Sequence, residues 1–386
     1  MPSVKVLVID DSVVVRRLLT ESLESDPDLS VVGTAANGKI GLDRLEHTSP
    51  DVVILDVEMP VMDGLETLTA IRQVNRRIPI IMFSTLTERG AATTLEALSR
   101  GATDYVTKPS NSGGLQQSMQ QLRSELIPRI KQLCRVTSVT RPDATRPQQA
   151  PAGREAPRLR RSPAAQSNIA LLAVGISTGG PVALERLFSG LPADLGVPVV
   201  VVQHMPPVFT GMLAERLDRC GALRVAEGSD GVMLEPGKAW IAPGDHHLVL
   251  ARSGSGVVMR TNQGPPVNFC RPAVDVLFRS AAEVYGPSVL GLIMTGMGQD
   301  GLRGSEQIVD AGGTVLAQDQ ETSVVWGMPG YVAQAGLAEA VLPVEQLASA
   351  VVTRIRQRNR STQNASRPVA TPLPGQPRRK DPSCRA

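Results

Sequence analysis

Short runs of aliphatic residues alternate with longer amphipathic stretches over the first third of the chain. The runs predict five strands, at residues 4–10, 31–36, 52–56, 78–84 and 103–107. Apolar residues in the stretches between them recur at helical spacing. Strands that alternate with helices in this way predict a parallel sheet with helices packed on both of its faces.

The same alternation returns after residue 168. Strands are predicted at residues 169–176, 197–203, 239–242, 257–260, 289–295 and 314–317, and a last helix at 344–357. The fold class is therefore α/β, with two doubly wound parallel-sheet domains. Such sheets bind ligands beyond the carboxyl ends of their strands, so functional residues are expected there.

Between the two domains the periodicity stops. Residues 136–168 are rich in Pro, Ala and small polar residues, with six arginines against two acidic residues, and cannot build a core. We predict a domain at 1–125, a flexible linker at 126–168, a second domain at 169–357 and a disordered tail at 358–386. The basic linker is interpreted either as a spacer or as a segment that docks on acidic helices. Because the excess positive charge is not on a folded surface, nucleic acid is not an expected partner.

Composition narrows the class of protein further. Aromatic residues make up 3% of the 386 residues, so the cores must be aliphatic, which suits buried parallel strands. No apolar run reaches the roughly 18 residues that span a bilayer, and no leader precedes the first strand. We therefore expect a cytoplasmic protein without membrane insertion. The four cysteines, Cys134, Cys220, Cys270 and Cys384, have no paired spacing and predict neither a disulfide framework nor a zinc site.

Three carboxylates and two polar side chains fall at strand ends in the first domain. Asp10 and Asp11 end the first strand, Asp56 the third and Ser84 the fourth, and Lys108 follows the fifth. Carboxylates crowded at one sheet edge need a divalent cation, and oxygen ligands suit Mg²⁺. One of them could then attack a phosphoryl donor, with a hydroxyl and an ammonium group holding the phosphoryl oxygens. The alternative is that the first two acids cap the following helix.

The second domain opens with a serine in a glycine-rich turn. GISTGGP places Ser177 between a strand and a helix, whose free N–H groups suit a developing oxyanion. His204 closes the next predicted strand, and would act as the general base if it lies beside the serine. The alternatives are that the serine caps a helix and that the histidine caps a strand. His47 belongs to the first domain, and His246 and His247 follow APGD in a predicted turn.

A second glycine-rich turn, TGMGQDG, follows a later strand. Gly296, Gly298 and Gly301 fit G-x-G-x-x-G, and Asp319 lies further on, which mimics a nicotinamide dinucleotide site. Against this interpretation, the turn does not lie in the opening βαβ unit of its domain. The alternative is that the glycines expose Asp300 at a strand end, where it orients the histidine.

Residues 4–125 resemble the response-regulator receiver family, whose fold is flavodoxin-like. The resemblance implies that Asp56 is the phospho-acceptor and that a histidine kinase is the phosphodonor. It also implies that Ser84 and Lys108 sense the phosphoryl group, and that Tyr105 is the switch aromatic. For the tyrosine, a half-buried position on a short strand is an equal alternative. The resemblance further implies a Mg²⁺ site formed by three carboxylates, Asp10, Asp11 and Asp56.

The motifs GISTGG, QHMPPVFT, WIAPGDHH, CRPAVDVLF, TGMGQDG and VVWGMP follow the receiver in that order. Together they resemble the CheB family, the chemotaxis methylesterases that also deamidate glutamine. The resemblance implies the catalytic triad Ser177, His204 and Asp300, with oxyanion donors at the backbone of Thr178 and Met297. It implies methylated chemoreceptors as substrate and no cofactor in this domain.

Two other functions compete with this interpretation. In the first, the second domain is a non-catalytic adaptor that only binds receptors, and the intact serine, histidine and aspartate argue against it. In the second, a hydrolase of the same fold serves a sensor outside chemotaxis, because the receptor-binding surface has no signature in the sequence.

Overall fold

The first α/β unit is built as the sequence pattern predicts. The computed structural model describes residues 3–109, 114–139 and 167–365. Its first unit contains, in chain order, β1 (Val4–Ile9), α1 (Val13–Leu23), β2 (Leu29–Ala35), α2 (Gly38–Thr48), β3 (Val52–Asp56), α3 (Gly64–Val74), β4 (Ile80–Ser84), α4 (Glu88–Ser99), β5 (Asp104–Thr107) and α5 (Gly114–Val139). The strands form one parallel sheet in the order β2-β1-β3-β4-β5. Both faces of the sheet are covered by buried aliphatic clusters.

The second unit has a larger parallel sheet and a separate hairpin. Its elements are β6 (Leu171–Ile176), α6 (Gly180–Ser189), β7 (Val199–Gln203), α7 (Phe209–Cys220), β8 (Arg224–Glu227), β9 (Lys238–Ile241), β10 (His247–Ser253), β11 (Gly256–Asn262), α8 (Val274–Tyr285), β12 (Val289–Ile293), α9 (Leu302–Asp310), β13 (Thr314–Gln318), α10 (Met328–Gln334), β14 (Ala338–Leu342) and α11 (Val344–Ala365). The sheet order is β14-β13-β12-β6-β7-β9-β8, and β10 pairs with β11 alone.

The α/β class with two parallel-sheet domains is confirmed, with one strand misplaced. Residues 257–260 were predicted as part of the parallel sheet, but they belong to the antiparallel hairpin of β10 and β11. The edge strands β8 and β14 were not predicted. Only one residue of β8 is buried, and an edge strand with one covered face gives a weak apolar signal.

The predicted start of the linker at residue 126 is wrong, because α5 continues to residue 139. Leu126 and Ile130 are fully buried in the first unit, and Leu133 is nearly so. Polar residues and Pro128 interrupt the apolar spacing of this helix, which hides its length in the sequence. The remaining predicted linker, residues 140–166, lies outside the described residues.

The predicted tail also begins too early. Helix α11 runs to residue 365, and its side chains still make contacts beyond residue 357. The Asn359 side chain accepts a hydrogen bond from Ile169 N at 3.0 Å, and Arg358 donates to Thr314 Oγ1 at 2.7 Å. Residues 366–386 lie outside the described part of the chain.

Among the helices of residues 3–109, 114–139 and 167–365, none is both long enough and apolar enough to cross a membrane.

The buried second half of α5 predicts a stability effect. In a fragment of residues 1–139, Ile130→Ala should lower the free energy of unfolding by about 2–5 kcal/mol, because it leaves a cavity in a packed core. Urea denaturation followed by circular dichroism measures this change. Gln121→Ala, at an exposed position of the same helix, is the matched control and should change the free energy by less than about 0.5 kcal/mol. An Ile130→Ala variant as stable as the control would show that the first domain ends before this segment.

Candidate functional site

The second sheet brings Ser177 and His204 to neighbouring positions. Strands β6 and β7 pair in parallel with Ile176 opposite Gln203, and each predicted site residue is the next one in its chain. His204 N also donates to Ile176 O at 3.2 Å. Paired strands lie about 4.8 Å apart, so the two residues leave the sheet side by side.

The turn at Ser177 is held by its neighbours on both sides. The Ser177 carbonyl accepts hydrogen bonds from Gln203 Nε2 at 2.9 Å and from Gly180 N at 2.8 Å, and Ser177 N donates to Thr295 O at 2.9 Å. A Cβ on Gly296 would lie 2.8 Å from the serine Cβ, closer than side chains tolerate. Glycine at position 296 therefore allows its turn to lie this close to the turn of Ser177.

The predicted histidine and aspartate are in direct contact. His204 Nε2 lies 2.8 Å from Asp300 Oδ2. The other ring nitrogen, Nδ1, lies 3.5 Å from Cys270 Sγ. Burial opposes a charge on the imidazole, but Cys270 and Asp300 together raise the pKa of His204 to about 10. The contact with Asp300 therefore favours the imidazolium form of His204.

Asp300 is almost completely buried, and both oxygens of its carboxylate accept hydrogen bonds. Its carboxylate accepts from Val274 N at 2.6 Å, Asp275 N at 3.1 Å and Asn268 Nδ2 at 2.8 Å. The first two are free N–H groups at the start of α8, whose N-cap residue provides no side-chain cap. Although burial opposes it, the hydrogen bonds from His204 and from these amides lower the pKa of Asp300. The helix terminus thus favours the charged carboxylate.

The predicted oxyanion donors and the serine hydroxyl make no hydrogen bonds to other described residues. Within the described residues, the backbone N–H groups of Thr178 and Met297 donate no hydrogen bond, and the Ser177 hydroxyl has no hydrogen-bond partner. Ser177 and His204 are thus adjacent in register but not hydrogen-bonded. The structure brings the predicted site residues together in a conformation where the serine and histidine are disengaged.

The other histidines and the dinucleotide-like turn have different environments. The His246 Nδ1 atom contacts the Gly244 carbonyl at 3.2 Å, and His247 Nε2 contacts the Pro265 carbonyl at 3.0 Å. The His47 side chain is exposed on α2. The Asp319 carboxylate accepts from the backbone and the hydroxyl of Thr322, so it closes a local turn.

Three residues at the site had no predicted role. Cys270 touches the histidine ring, Asn268 bonds to two aspartates, and Gln203 fixes the serine carbonyl. The only sequence signal was their position: Gln203 directly precedes His204, and the other two precede the RPAVDVLF segment. The contacts depend on a long-range turn that local periodicity does not encode.

In the first unit, Lys108 bridges two buried carboxylates. Its Nζ atom lies 2.8 Å from Asp56 Oδ1 and 3.0 Å from Asp10 Oδ2. The N-cap of α1 is Ser12, so Asp10 and Asp11 do not fill the capping role considered as their alternative. Lys108 N donates to the carbonyl of Ser84 at 2.6 Å, which ties the lysine to the end of β4.

The three acids fit a Mg²⁺ site. One oxygen each from Asp10, Asp11 and Asp56 lies within 4.8 Å of the others. Asp56 Oδ2 is buried and has no hydrogen-bond partner within the described residues. Burial and the charge of Asp10 raise the pKa of Asp56 to about 6, although Lys108 opposes this. A divalent cation would satisfy the unpartnered oxygen and favour the charged carboxylate.

Lys108 contacts Asp56, but the other two predicted phosphoryl-sensing residues, Ser84 and Tyr105, have different partners in this structure. The Ser84 hydroxyl donates to the Gly90 carbonyl at 3.1 Å, in the first turn of α4. The Tyr105 side chain is buried, and its ring stacks on Phe209 of α7 at 4.9 Å with an interplanar angle of 7°. Tyr105 is thus buried, whereas the alternative interpretation expected it to be half-buried. Its stacking partner belongs to the other domain.

The two domains meet at the site itself. Thr178 Oγ1 donates to Asp104 Oδ2 at 3.1 Å, and the same carboxylate oxygen pairs with Arg129 Nη1 at 2.7 Å. Val325 belongs to a hydrophobic cluster whose other buried members are first-domain residues, and Met297 packs against that cluster. Both predicted oxyanion-donor residues therefore have the first domain beside them.

Comparison with known proteins agrees with this architecture. Residues 172–351 match the CheB methylesterase family, and residues 6–120 match the response regulator receiver domain. The chain is 52% identical over 367 residues to a protein-glutamate methylesterase/protein-glutamine glutaminase of Nocardioides sp., covering 93% of this chain and 97% of that protein. It is 48% identical over 356 residues to the protein of the same name from Trichodesmium erythraeum, covering 92% and 100%.

Solved structures of each half are similar as well. The CheB methylesterase catalytic domain of Thermotoga maritima is 42% identical, with a TM-score of 0.47, and the match covers 48% of this chain and 98% of that chain. The response regulator domain of Thermotoga maritima CheB is 40% identical, with a TM-score of 0.32, and covers 34% and 97%. Given the identity to full-length relatives, the chain belongs to the CheB methylesterase family and has a response regulator receiver domain in its N-terminal half.

Proposed function

We propose that this protein hydrolyses glutamate methyl esters on chemoreceptors and deamidates specific receptor glutamines, and that phosphorylation of Asp56 activates it. The observation that carries the proposal is the 2.8 Å contact between His204 and Asp300 beside Ser177. The names of the relatives supply the substrate class. A cytoplasmic location belongs to the same proposal, because the methylated receptor helices are expected there.

The reaction follows from the positions of the three side chains. Ser177 Oγ attacks the ester carbonyl carbon while His204 takes the hydroxyl proton. Asp300 holds the ring through its contact with Nε2, so Nδ1 is the nitrogen left for the proton. That nitrogen must exchange its contact with Cys270 for one with the serine. Asp300 also stabilises the imidazolium that forms.

The tetrahedral intermediate carries its negative charge on the former carbonyl oxygen. The unengaged N–H groups of Thr178 and Met297 are suited to hold it, because donors aimed at developing charge need no reorganisation during the reaction. His204 returns the proton to the departing methoxide, and methanol leaves. Water then attacks the acyl-enzyme to release the glutamate carboxylate. A glutamine substrate follows the same steps and releases ammonia.

Asp10, Asp11 and Asp56 would hold Mg²⁺ in the receiver. When bound, the ion neutralises charge between the carboxylates and the incoming phosphoryl group. Lys108, already paired with Asp56, is placed to neutralise a phosphoryl oxygen. The Ser84 hydroxyl would supply a hydrogen bond to another oxygen, and would then leave the Gly90 carbonyl.

This exchange gives phosphorylation a route to the catalytic domain. Helix α4 contains Gly90 and contacts α6 and α7, and Tyr105 packs on Phe209 of α7. A shift at the start of α4 therefore changes the surface that covers the catalytic domain. The unphosphorylated receiver stabilises the covered form, and the phosphoryl group shifts the equilibrium towards the open form.

If the second domain were only an adaptor, methanol release would not depend on Asp300. If it is a hydrolase, the rate of methanol release should depend strongly on this residue. Asp300→Asn should lower kcat for methanol release by on the order of 10⁴, because the histidine loses its orienting carboxylate. Ser177→Ala should abolish acyl-enzyme formation. The measurement is methanol release from a methylated receptor fragment. Asp218→Asn is the control, since Asp218 also accepts a backbone hydrogen bond, from Val225 N at 2.8 Å, but lies away from the triad. Unchanged rates in Asp300→Asn and Ser177→Ala would contradict the hydrolase.

If the receiver covers the catalytic site, substitutions that weaken the contact between the two domains should raise the esterase rate. Tyr105→Ala should raise the basal esterase rate about fivefold, because a stacked aromatic pair contributes about 1 kcal/mol, and deletion of residues 1–165 should raise it at least as much. Val74→Ala, at an exposed position of α3, is the control and should leave the rate unchanged. Equal or lower rates in both changed proteins would rule out the covered resting form.

A further inference from the structure

A tight turn beside the catalytic histidine carries a strained phenylalanine. Val267 and Cys270 pair through two backbone hydrogen bonds, of 3.1 Å and 2.9 Å. The two residues between them, Asn268 and Phe269, have φ values of 52° and 64°. Such two-residue turns favour glycine at the left-handed positions, and asparagine tolerates them. A phenylalanine at the second position is strained.

Packing does not compensate for this strain. The Phe269 side chain is fully exposed, at 103% of its reference area. It therefore contributes no buried surface to the fold, while its backbone conformation opposes folding. Strained residues cluster at functional sites, and an exposed aromatic ring provides a large, rigid contact area to a partner.

The turn is fixed to the catalytic machinery on both sides of the ring. Asn268 Nδ2 donates to Asp300 Oδ1 and to Asp275 Oδ2, each at 2.8 Å. Cys270 Sγ lies 3.5 Å from His204 Nδ1. Phe269 is the residue between these two anchors, so its backbone is fixed beside the predicted catalytic residues.

A second strained apolar residue follows the histidine. Val208 has a φ of 74° and is 39% exposed. Its position four residues after His204 places it on the other loop that borders the imidazole. A positive φ at a β-branched residue is a genuine outlier. Both loops next to His204 thus hold an apolar side chain towards solvent at a cost in backbone strain.

We propose that Phe269, together with Val208, docks the apolar side of the receptor helix that carries the substrate side chain. The inference rests on the proposed function. A glutamyl methyl ester can reach Ser177 only if the receptor backbone that carries it lies close to the two loops beside His204. An amphipathic helix in that position presents its neighbouring apolar residues to Phe269 and Val208. The ring selects protein-bound esters and leaves the chemistry of the triad unchanged.

The test is Phe269→Gly in the full-length chain, assayed with a small phosphodonor and Mg²⁺ present. For a methylated receptor fragment, kcat/KM should fall on the order of tenfold, mainly through KM, as for an interface hot spot. For N-acetylglutamate γ-methyl ester it should be unchanged. Because glycine suits the turn, the melting temperature should be equal or higher. Phe269→Leu should retain most of the activity on the receptor fragment, and Met233→Ser, at another exposed apolar residue, is the control.

The outcomes separate this inference from the function on which it rests. Unchanged kcat/KM on the receptor fragment, or an equal fall on both esters, would overturn the docking role while leaving the hydrolase intact. A lowered melting temperature would show that the ring supports the fold, and would also overturn it. A wild-type chain that releases methanol from neither ester would contradict the proposed function, and the docking role with it.

Discussion

The parallel register of three central strands is the constraint on which the catalytic half depends. Strand β6 lies between β7 and β12, with Ile176 opposite Gln203 and Gly175 opposite Ile293. Because the chain leaves each of these strands at the same edge, the serine, the histidine and the loop with the aspartate meet there although they are far apart in sequence. A one-residue slip in either pairing would turn a side chain of the triad to the other face of the sheet.

The strands of the receiver also end at one edge of a parallel sheet. Contacts between the two domains connect that edge to the corresponding edge of the catalytic sheet. The acidic pocket of the receiver lies at the strand ends of β1 and β3, and the contacts to the catalytic domain include those of β5 and α4. Asp104 is shared between Arg129 of its own domain and Thr178 of the other. In the proposed mechanism, a change at Asp56 needs to move only a neighbouring strand end and the start of one helix to affect the residue next to Ser177. In this structure Ser177 and His204 are adjacent, and His204 Nδ1 contacts Cys270 instead of the serine hydroxyl.

Local pattern was sufficient for the α/β class and for most strand positions, because buried parallel strands are continuous aliphatic runs. The residues at their ends followed from the same reasoning, which is why the positions of Asp56 and of the triad were predictable. The full length of α5 and the hairpin of β10 and β11 were not, since their burial depends on tertiary neighbours. Cys270 and Phe269 were missed for the same reason: a turn of two left-handed residues with Asn-Phe at its centre has no apolar period to mark it.

In the proposed mechanism, an acyl phosphate on Asp56 controls hydrolysis at Ser177 in the same chain. The most direct measurement is the rate of methanol release from methyl-labelled receptor by the full-length protein, with and without a small phosphodonor and Mg²⁺, in the wild type and in Asp56→Asn. The phosphodonor should raise the rate of the wild type and leave that of the variant unchanged. A rate that does not respond to the phosphodonor in either protein, or responds equally in both, would show that phosphorylation of Asp56 does not control the esterase.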